Sequence, residues 1–371
     1  VKYPVLFVIG DLRGGGAERA LVNFLRHFSR DKFELHLALF QKWGVHLDDL
    51  PDDIILHDLN KKSPLDLPKL AFRLRALVKK LKPIGVVSFM WYANLVQLLS
   101  RKLPGESWPA LIILQNVWAG TSEERFGSSK TYLMKRLYPT ADAILGVSQA
   151  VVDEMIELLP RFCHGRLDVQ FNPWPIEMMR KQAEGELTLD WSDDELQLFG
   201  VGRLVPQKAW DVLIKALHIL GKSLPWRLTI AGQGELEADL KALTEKLDLS
   251  DRINFAGYIH QPYPLMRRAD LFIQPSRFEG LPGVLIEALS VGAPILATDC
   301  PGGSKDILLN GKYGCLVPNG DSEAMAEAID DLLRTPEKRQ IYRTRTEEGS
   351  ARFEAKTVTL QLEEQILRLG S

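Results

Sequence analysis

Four charged side chains stand where their types and neighbours could do chemistry: Arg203, Lys208, Glu279 and Glu287. Arg203 and Lys208 lie in Val201-Gly202-Arg203-Leu204-Val205-Pro206-Gln207-Lys208, directly behind a short apolar run that reads as a strand. Two cations at a strand end suit a diphosphate, with Arg as a fork and Lys as a point charge. Taken in isolation, such a pair reads first as solvated surface charges. Glu279 lies in the loop after a second apolar run, in Pro275-Ser276-Arg277-Phe278-Glu279-Gly280-Leu281-Pro282-Gly283. Pro282 is well placed in the first turn of a helix. Glu287 then falls within Val284-Leu285-Ile286 and Ala288-Leu289, an otherwise apolar helical run. A carboxylate there needs a partner. A ribose diol would satisfy it, and so would a nearby Arg or Lys.

Two glycine-rich turns accompany these residues. Gly10-Asp11-Leu12-Arg13-Gly14-Gly15-Gly16-Ala17 leads from a strand into a helix. Glycine lets a backbone approach a bulky anion, and a helix N-terminus offers unpaired N–H groups to it. The alternative is a tight strand-to-helix turn. The spacing is not the dinucleotide fingerprint, which weakens any nicotinamide reading. Asp299-Cys300-Pro301-Gly302-Gly303-Ser304-Lys305-Asp306 says, alone, only that the chain turns sharply.

These residues need elements to position them. Short apolar runs alternate with longer helical patterns, as in parallel-sheet α/β units. The first half offers strands over 5–10, 33–40, 85–90, 111–116 and 143–148. Ala17, Ala20, Leu21, Phe24, Leu25 and Phe28 share one helical face behind the first of them. The pattern breaks over 172–194, where Asn172-Pro173-Trp174-Pro175 and an acidic stretch read as a link. It restarts with strands over 196–201, 228–231, 253–256, 271–275, 294–298 and 315–318. The expectation is an α/β chain of two doubly wound domains, with ligands at the carboxyl ends of the strands. The first covers 1–171, with a C-terminal helix over about 353–371 packing back on it, and the second covers 172–352.

Composition narrows the function classes. A chain of 371 residues is too long for one ordinary core and comfortable for two. Apolar residues at 46% and charged residues at 25% give a normal soluble balance. The formal net charge of -2 offers no global argument for nucleic acid as a partner. Cys163, Cys300 and Cys315 have no metal-like spacing and read as free thiols in a reducing compartment. The first ten residues lack the length and cleavage site of a signal peptide. No apolar run is long enough to span a bilayer. A cytoplasmic place is therefore expected.

Taken in order, these segments resemble the retaining glycosyltransferases of family 4, which have the GT-B fold. The resemblance rests on Gly202-Arg203-Leu204 with Lys208, Ile230-Ala231-Gly232-Gln233-Gly234-Glu235 and Phe255-Ala256-Gly257-Tyr258. It continues with Glu279 and Glu287 around Gly280-Leu281-Pro282, then Thr298-Asp299-Cys300-Pro301-Gly302-Gly303 and Gly314-Cys315-Leu316-Val317-Pro318. In the first half it rests on Gly14-Gly15-Gly16 and on Ala141-Asp142-Ala143-Ile144-Leu145-Gly146-Val147-Ser148. The acceptor-facing part matches loosely.

The resemblance implies two facing Rossmann-like domains with a nucleotide sugar in the cleft between them. It assigns the donor diphosphate to Arg203 and Lys208, and the ribose hydroxyls to Glu287. Sugar hydroxyls fall to Glu279, helped by the backbone of Gly280, Leu281, Pro282 and Gly283. Tyr258 and Ile259 would flank the base, and Gly15 and Gly16 would approach the phosphates. Catalysis would rest on Glu279, Arg203 and Lys208. Many relatives carry a histidine where this chain reads Leu114-Gln115-Asn116-Val117-Trp118, so Gln115 or Asn116 would replace its hydrogen bond.

The implied reaction is retaining sugar transfer, UDP-sugar favoured, to a glycan or lipid-linked glycan in cell-surface polysaccharide or lipopolysaccharide synthesis. A nucleotide-sugar 2-epimerase of the same architecture is the alternative. No Asp-x-Asp occurs in the sequence, so no metal and no cofactor are expected. On the acceptor side, Leu70, Leu74, Leu77 and Leu81 mark one face of 70–82, and Arg73, Arg75, Lys79, Lys80 and Lys82 mark others. Such a helix can lie on an anionic membrane surface at the inner face of the cell membrane, or simply carry a solvated cationic face. Lys130, Lys135 and Arg136, near Tyr132 and Leu133, form a second basic cluster.

Overall fold

The structure is a computed structural model that describes residues 2–105, 107–115, 128–160, 165–187 and 189–370. Its contacts divide the chain into one unit of Val1–Trp174 with Phe353–Ser371 and another of Pro175–Arg352.

The first unit is a parallel sheet of seven strands: β1 (Tyr3–Ile9), β2 (Phe33–Leu39), β3 (Ile55–Asp58), β4 (Gly85–Phe89), β5 (Ala110–Leu114), β6 (Ala143–Gly146) and β7 (Leu167–Val169), in the order β3-β2-β1-β4-β5-β6-β7. The inner strands are continuous apolar runs because helices cover both faces of such a sheet; β4 and β5 are buried at every position. Helix Gly16–His27 buries Ala17, Ala20, Leu21, Phe24 and Leu25. The C-terminal helix Ala355–Gly370 belongs to this unit. Its buried Glu363 accepts a hydrogen bond from the Ser29 N–H at 2.6 Å, and the Phe353 ring packs edge-on against Phe171 at 4.8 Å.

The second unit has six parallel strands: β8 (Leu196–Val201), β9 (Trp226–Ala231), β10 (Ile253–Gly257), β11 (Leu271–Gln274), β12 (Ile295–Asp299) and β13 (Cys315–Pro318), in the order β10-β9-β8-β11-β12-β13. Its core centres on Trp210, Leu213, Leu217, Trp226, Leu228 and Ile273.

The structure adds two strands, β3 and β7, to those the apolar runs indicate. Both are short edge strands with partly exposed residues, so neither carries a continuous apolar run. The stretch over 172–194 also holds more than a link. Helix Ile176–Gln182 lies inside it, buries Ile176 and Met179, and packs on helix Gly283–Ser290.

Candidate active site

In the second sheet β8 and β11 are neighbours, although they are the first and fourth strands of their unit. The chain turns away to opposite sides at that point, and ligands of such sheets bind outside the carboxyl ends of the two strands. Lys208 follows β8 and Glu279 follows β11. Lys208 Nζ lies 2.5 Å from Glu279 Oε1. The same oxygen accepts from Ser276 Oγ at 2.7 Å and from Gln274 Nε2 at 2.9 Å. Among the described residues Glu279 Oε2 receives only a long contact from Gln207 Nε2, at 3.4 Å. One carboxylate oxygen is thus fixed by three donors while the other keeps acceptor capacity. A lysine ammonium has three N–H donors, so the bond to Glu279 leaves Lys208 capacity for an anion.

The loops around this pair are interlocked. Glu279 N donates to Pro301 O at 2.9 Å, and Gly303 N donates to Gly280 O at 2.8 Å. Gly302 has φ +127°, and a Cβ there would stand 2.1 Å from Glu279 O. Glycine is required because another backbone crosses at contact distance. The Pro301-Gly302-Gly303 turn therefore clamps the Glu279 loop. Thr298 Oγ1 secures the strand end by donating to Ser276 O at 2.5 Å.

Arg203 is held by its main chain. Gly202 N donates to Ala231 O at 3.0 Å and Leu204 N to Gln233 O at 2.9 Å. A Cβ at Gly232 would stand 1.9 Å from Gly202 O, so this clasp also needs glycine. Trp210 Nε1 donates to Arg203 O at 3.0 Å. The guanidinium is exposed and, among the described residues, hydrogen-bonds only to Gln207 Oε1, at 3.5 Å. It has no carboxylate partner among the described residues. Between the two cations and the following helix, Ala209 takes φ 53° while buried. A left-handed conformation costs a non-glycine residue roughly 1–2 kcal/mol, and such strain gathers at functional sites.

Glu287 lies on helix Gly283–Ser290 and is half-buried, whereas Leu285, Ile286, Ala288 and Leu289 are buried. It stands at the edge of the apolar face rather than within it, which lowers its need for a buried partner. Tyr258 and Ile259 follow β10, Tyr258 exposed and Ile259 half-buried. Gln207, Gln274 and Ser276 orient Glu279, although no charge or motif sets them apart. The signal for two of them was present: Gln274 is a polar residue ending an apolar strand, and Ser276 stands three residues before an acid.

In the first unit, Gly14, Gly15 and Gly16 follow β1 at the corresponding switch point, between β1 and β4. Gly15 caps helix Gly16–His27, and the Glu18 carboxylate folds back over it, with Oε2 2.4 Å from where a Cβ would stand. An acid in the first turn suits the helix dipole, so this helix N-terminus already faces a carboxylate. A cavity of about 190 Å³ is lined by these glycines with Arg19, Asn23 and Trp174. Gln115 does not stand free beside it. Its amide pairs with Asn172, Nε2 to Oδ1 at 3.1 Å and Nδ2 to Oε1 at 2.9 Å. Asn116 and Cys163 lie outside the described residues.

Cys300 and Cys315 are free, and burial pushes both thiols up. Among the described residues no helix is long and apolar enough to cross a membrane. Of the cations on 70–82, Arg73 is tied down: its Nη1 donates to the carbonyls of Leu59 at 2.6 Å and Asn60 at 2.8 Å.

Two Rossmann-like units of this topology, with cations and a carboxylate at the switch point of the second, are the units of the GT-B fold. The model of the Glycosyltransferase Family 4 domain matches residues 14–173, and that of the group 1 glycosyl transferases matches residues 188–349. The chain belongs to these family-4, group 1 glycosyltransferases. It is 25% identical over 93% of its length, and 94% of the relative's, to an N-acetylgalactosamine-N,N'-diacetylbacillosaminyl-diphospho-undecaprenol 4-alpha-N-acetylgalactosaminyltransferase from Campylobacter jejuni. It is 31% identical over 42% of its length, and 44% of the relative's, to a lipopolysaccharide core biosynthesis glycosyltransferase, LpsE, of Rhizobium meliloti. Among solved structures, HepE of Anabaena, in complex with UDP, superposes with a TM-score of 0.79 at 21% identity, covering 98% of this chain and all of that one. The Campylobacter jejuni and Rhizobium meliloti relatives are glycosyltransferases and give the epimerase alternative no support.

Proposed function

We propose that the chain moves a sugar, with retention, from a UDP-sugar to a lipid-linked or cell-surface glycan, without a divalent metal. The observation that carries this reading is the Lys208–Glu279 pair at the switch point, with Glu279 Oε2 still able to accept. Glycosyl transfer builds positive charge on the sugar and negative charge on the departing diphosphate. Arg203 and Lys208 are the cations that meet the latter, Lys208 held in place by Glu279, and preorganised charges act strongest where charge develops. Glu279 Oε2 takes a sugar hydroxyl, and the N–H groups of Gly280, Leu281 and Gly283 support it; Pro282 has none to give. Glu287 takes the ribose hydroxyls, and Tyr258 and Ile259 flank the base.

The donor class is supported by HepE, described with UDP and with UDP-glucose. The acceptor class is supported by the undecaprenol-linked and lipopolysaccharide glycans in the relatives' names. A lipid-linked acceptor also suits contact with an anionic membrane surface through Arg75, Lys79, Lys80 and Lys82, at the inner face of the membrane. The test is thermal denaturation with UDP, GDP and ADP. A nucleotide bound only by the native state at a hundredfold over its Kd adds about 2.7 kcal/mol. UDP is expected to raise the melting temperature most, and no shift with any nucleotide would reject the reading.

A further inference from the structure

A second pocket lies in the first unit, away from the glycine turn. It has a volume of about 600 Å³ and is lined by Phe72, Arg75, Lys79, Lys82, Gly105 and Trp108, among others. Its walls are the later part of helix Leu67–Leu81 and the segment leading into β5. Lys82 and Pro83 precede β4, and Trp108 precedes β5. The pocket therefore sits at the amino ends of these strands, while Gly14, Gly15 and Gly16 follow the carboxyl end of β1.

The pocket is built around one guanidinium. Arg75 lies over the Trp108 ring, 4.9 Å from its centroid. A Cβ at Gly105, whose φ is +126°, would stand 2.3 Å from Arg75 Nη2, so glycine makes the space this side chain fills. Yet Arg75 Nη1 and Trp108 Nε1 are buried with no hydrogen-bond partner among the described residues, and Trp108 is only 4% exposed. Native proteins rarely bury donors unpaired, and each such group is a request for an acceptor. The surrounding charge specifies which kind. Arg75, Lys79 and Lys82 pair with no carboxylate among the described residues, and helix Leu67–Leu81 contains no acidic residue. Phe72 stands 61% exposed at the same pocket. Arginine forks, ammonium groups and an indole N–H together fit phosphate oxygens. An exposed aromatic ring beside them fits the boundary between headgroup and acyl chain.

We propose that this pocket binds the phosphate group of an anionic phospholipid headgroup. It deepens the membrane contact proposed above, on which it rests, by naming the group recognised and the side chains that recognise it. The experiment is binding of the full chain to vesicles of phosphatidylglycerol in phosphatidylcholine, against phosphatidylcholine alone. Arg75→Gln and Trp108→Phe are compared with Lys246→Gln, an exposed cation of the second unit. The expected result is binding to the anionic vesicles only, at least tenfold weaker in the two pocket variants and nearly unchanged in Lys246→Gln. Melting with UDP confirms in the same samples that the variants are folded. Equal binding by wild type and both pocket variants overturns the pocket while leaving a diffuse surface contact. No binding to anionic vesicles overturns both. If sn-glycerol 3-phosphate binds wild type but not Arg75→Gln while vesicles do not bind, the ligand is a soluble phosphate ester and the lipid assignment fails. Vesicle binding that depends on Arg75, with no nucleotide stabilisation, would sustain the pocket and reject the transferase donor.

Discussion

Lys208 Nζ and Glu279 Oε1 meet at 2.5 Å across the switch point of the second sheet, with side-chain exposures of 16% and 8%. The pair therefore has a structural side that the exposed Arg203 lacks. Removing one partner of a buried ion pair leaves an uncompensated charge, at a cost of about 3–5 kcal/mol. Lys208→Ala is expected to lose up to that much stability and also roughly 10²–10³ in kcat. Arg203→Ala is expected to lose kcat on the same scale with its stability changed by no more than about 0.5 kcal/mol. Denaturation and steady-state kinetics of both variants check this. Wild-type kcat in both would remove the cations from the mechanism.

Glu287 is proposed to read the ribose. Glu287→Gln should weaken nucleotide binding by roughly 1.5–3 kcal/mol, the range for a hydrogen bond to a charged group. The comparison is UDP against its 2′,3′-dideoxy analogue. Wild type should prefer UDP, and the variant should lose most of that preference. Equal binding of both nucleotides by wild type would give Glu287 another role.

Stability should depend on pH through the first sheet. His57 Nε2 lies 3.0 Å from His36 Nδ1, and Glu34 Oε1 lies 2.9 Å from His36 Nε2. Burial first, then the nearby His36 and Lys80, hold the His57 imidazole below its ordinary value, which is about 6.5. The unfolded chain then binds more protons than the native one just below that pH, so stability is present above it and falls as pH drops. Melting between pH 5 and 8 should show this decline, and His57→Gln should flatten it. An unchanged slope in the variant would place the pH dependence elsewhere.

Much of this was legible in the sequence, for reasons particular residues make clear. The buried central strands announce themselves because both faces are covered, as at Leu111-Ile112-Ile113-Leu114. The edge strands Ile55–Asp58 and Leu167–Val169 do not, because each has solvent-facing positions. Arg203, Lys208 and Glu279 could be picked out as charges behind strands, but their pairing could not. Contact between Lys208 and Glu279 depends on β8 and β11 being adjacent, and strand order is a non-local property. The purpose of Gly302 was equally hidden, since the backbone it makes room for lies 23 residues earlier, at Glu279. The Gln115–Asn172 amide pair spans 57 residues and left no local signal.

Turnover is proposed to be independent of metal because Arg203 and Lys208 are proposed to meet the charge of the departing diphosphate. Activity with a chelator should equal activity with added magnesium or manganese. Loss with the chelator, restored by metal, would contradict this.

The most direct test of the central claim is NMR of the product formed from UDP-sugar and a lipid-linked glycan acceptor. The account predicts transfer with the donor's anomeric configuration retained, at a rate that falls in Arg203→Ala and Lys208→Ala. An inverted linkage would contradict it, and so would a donor sugar epimerised with no acceptor present.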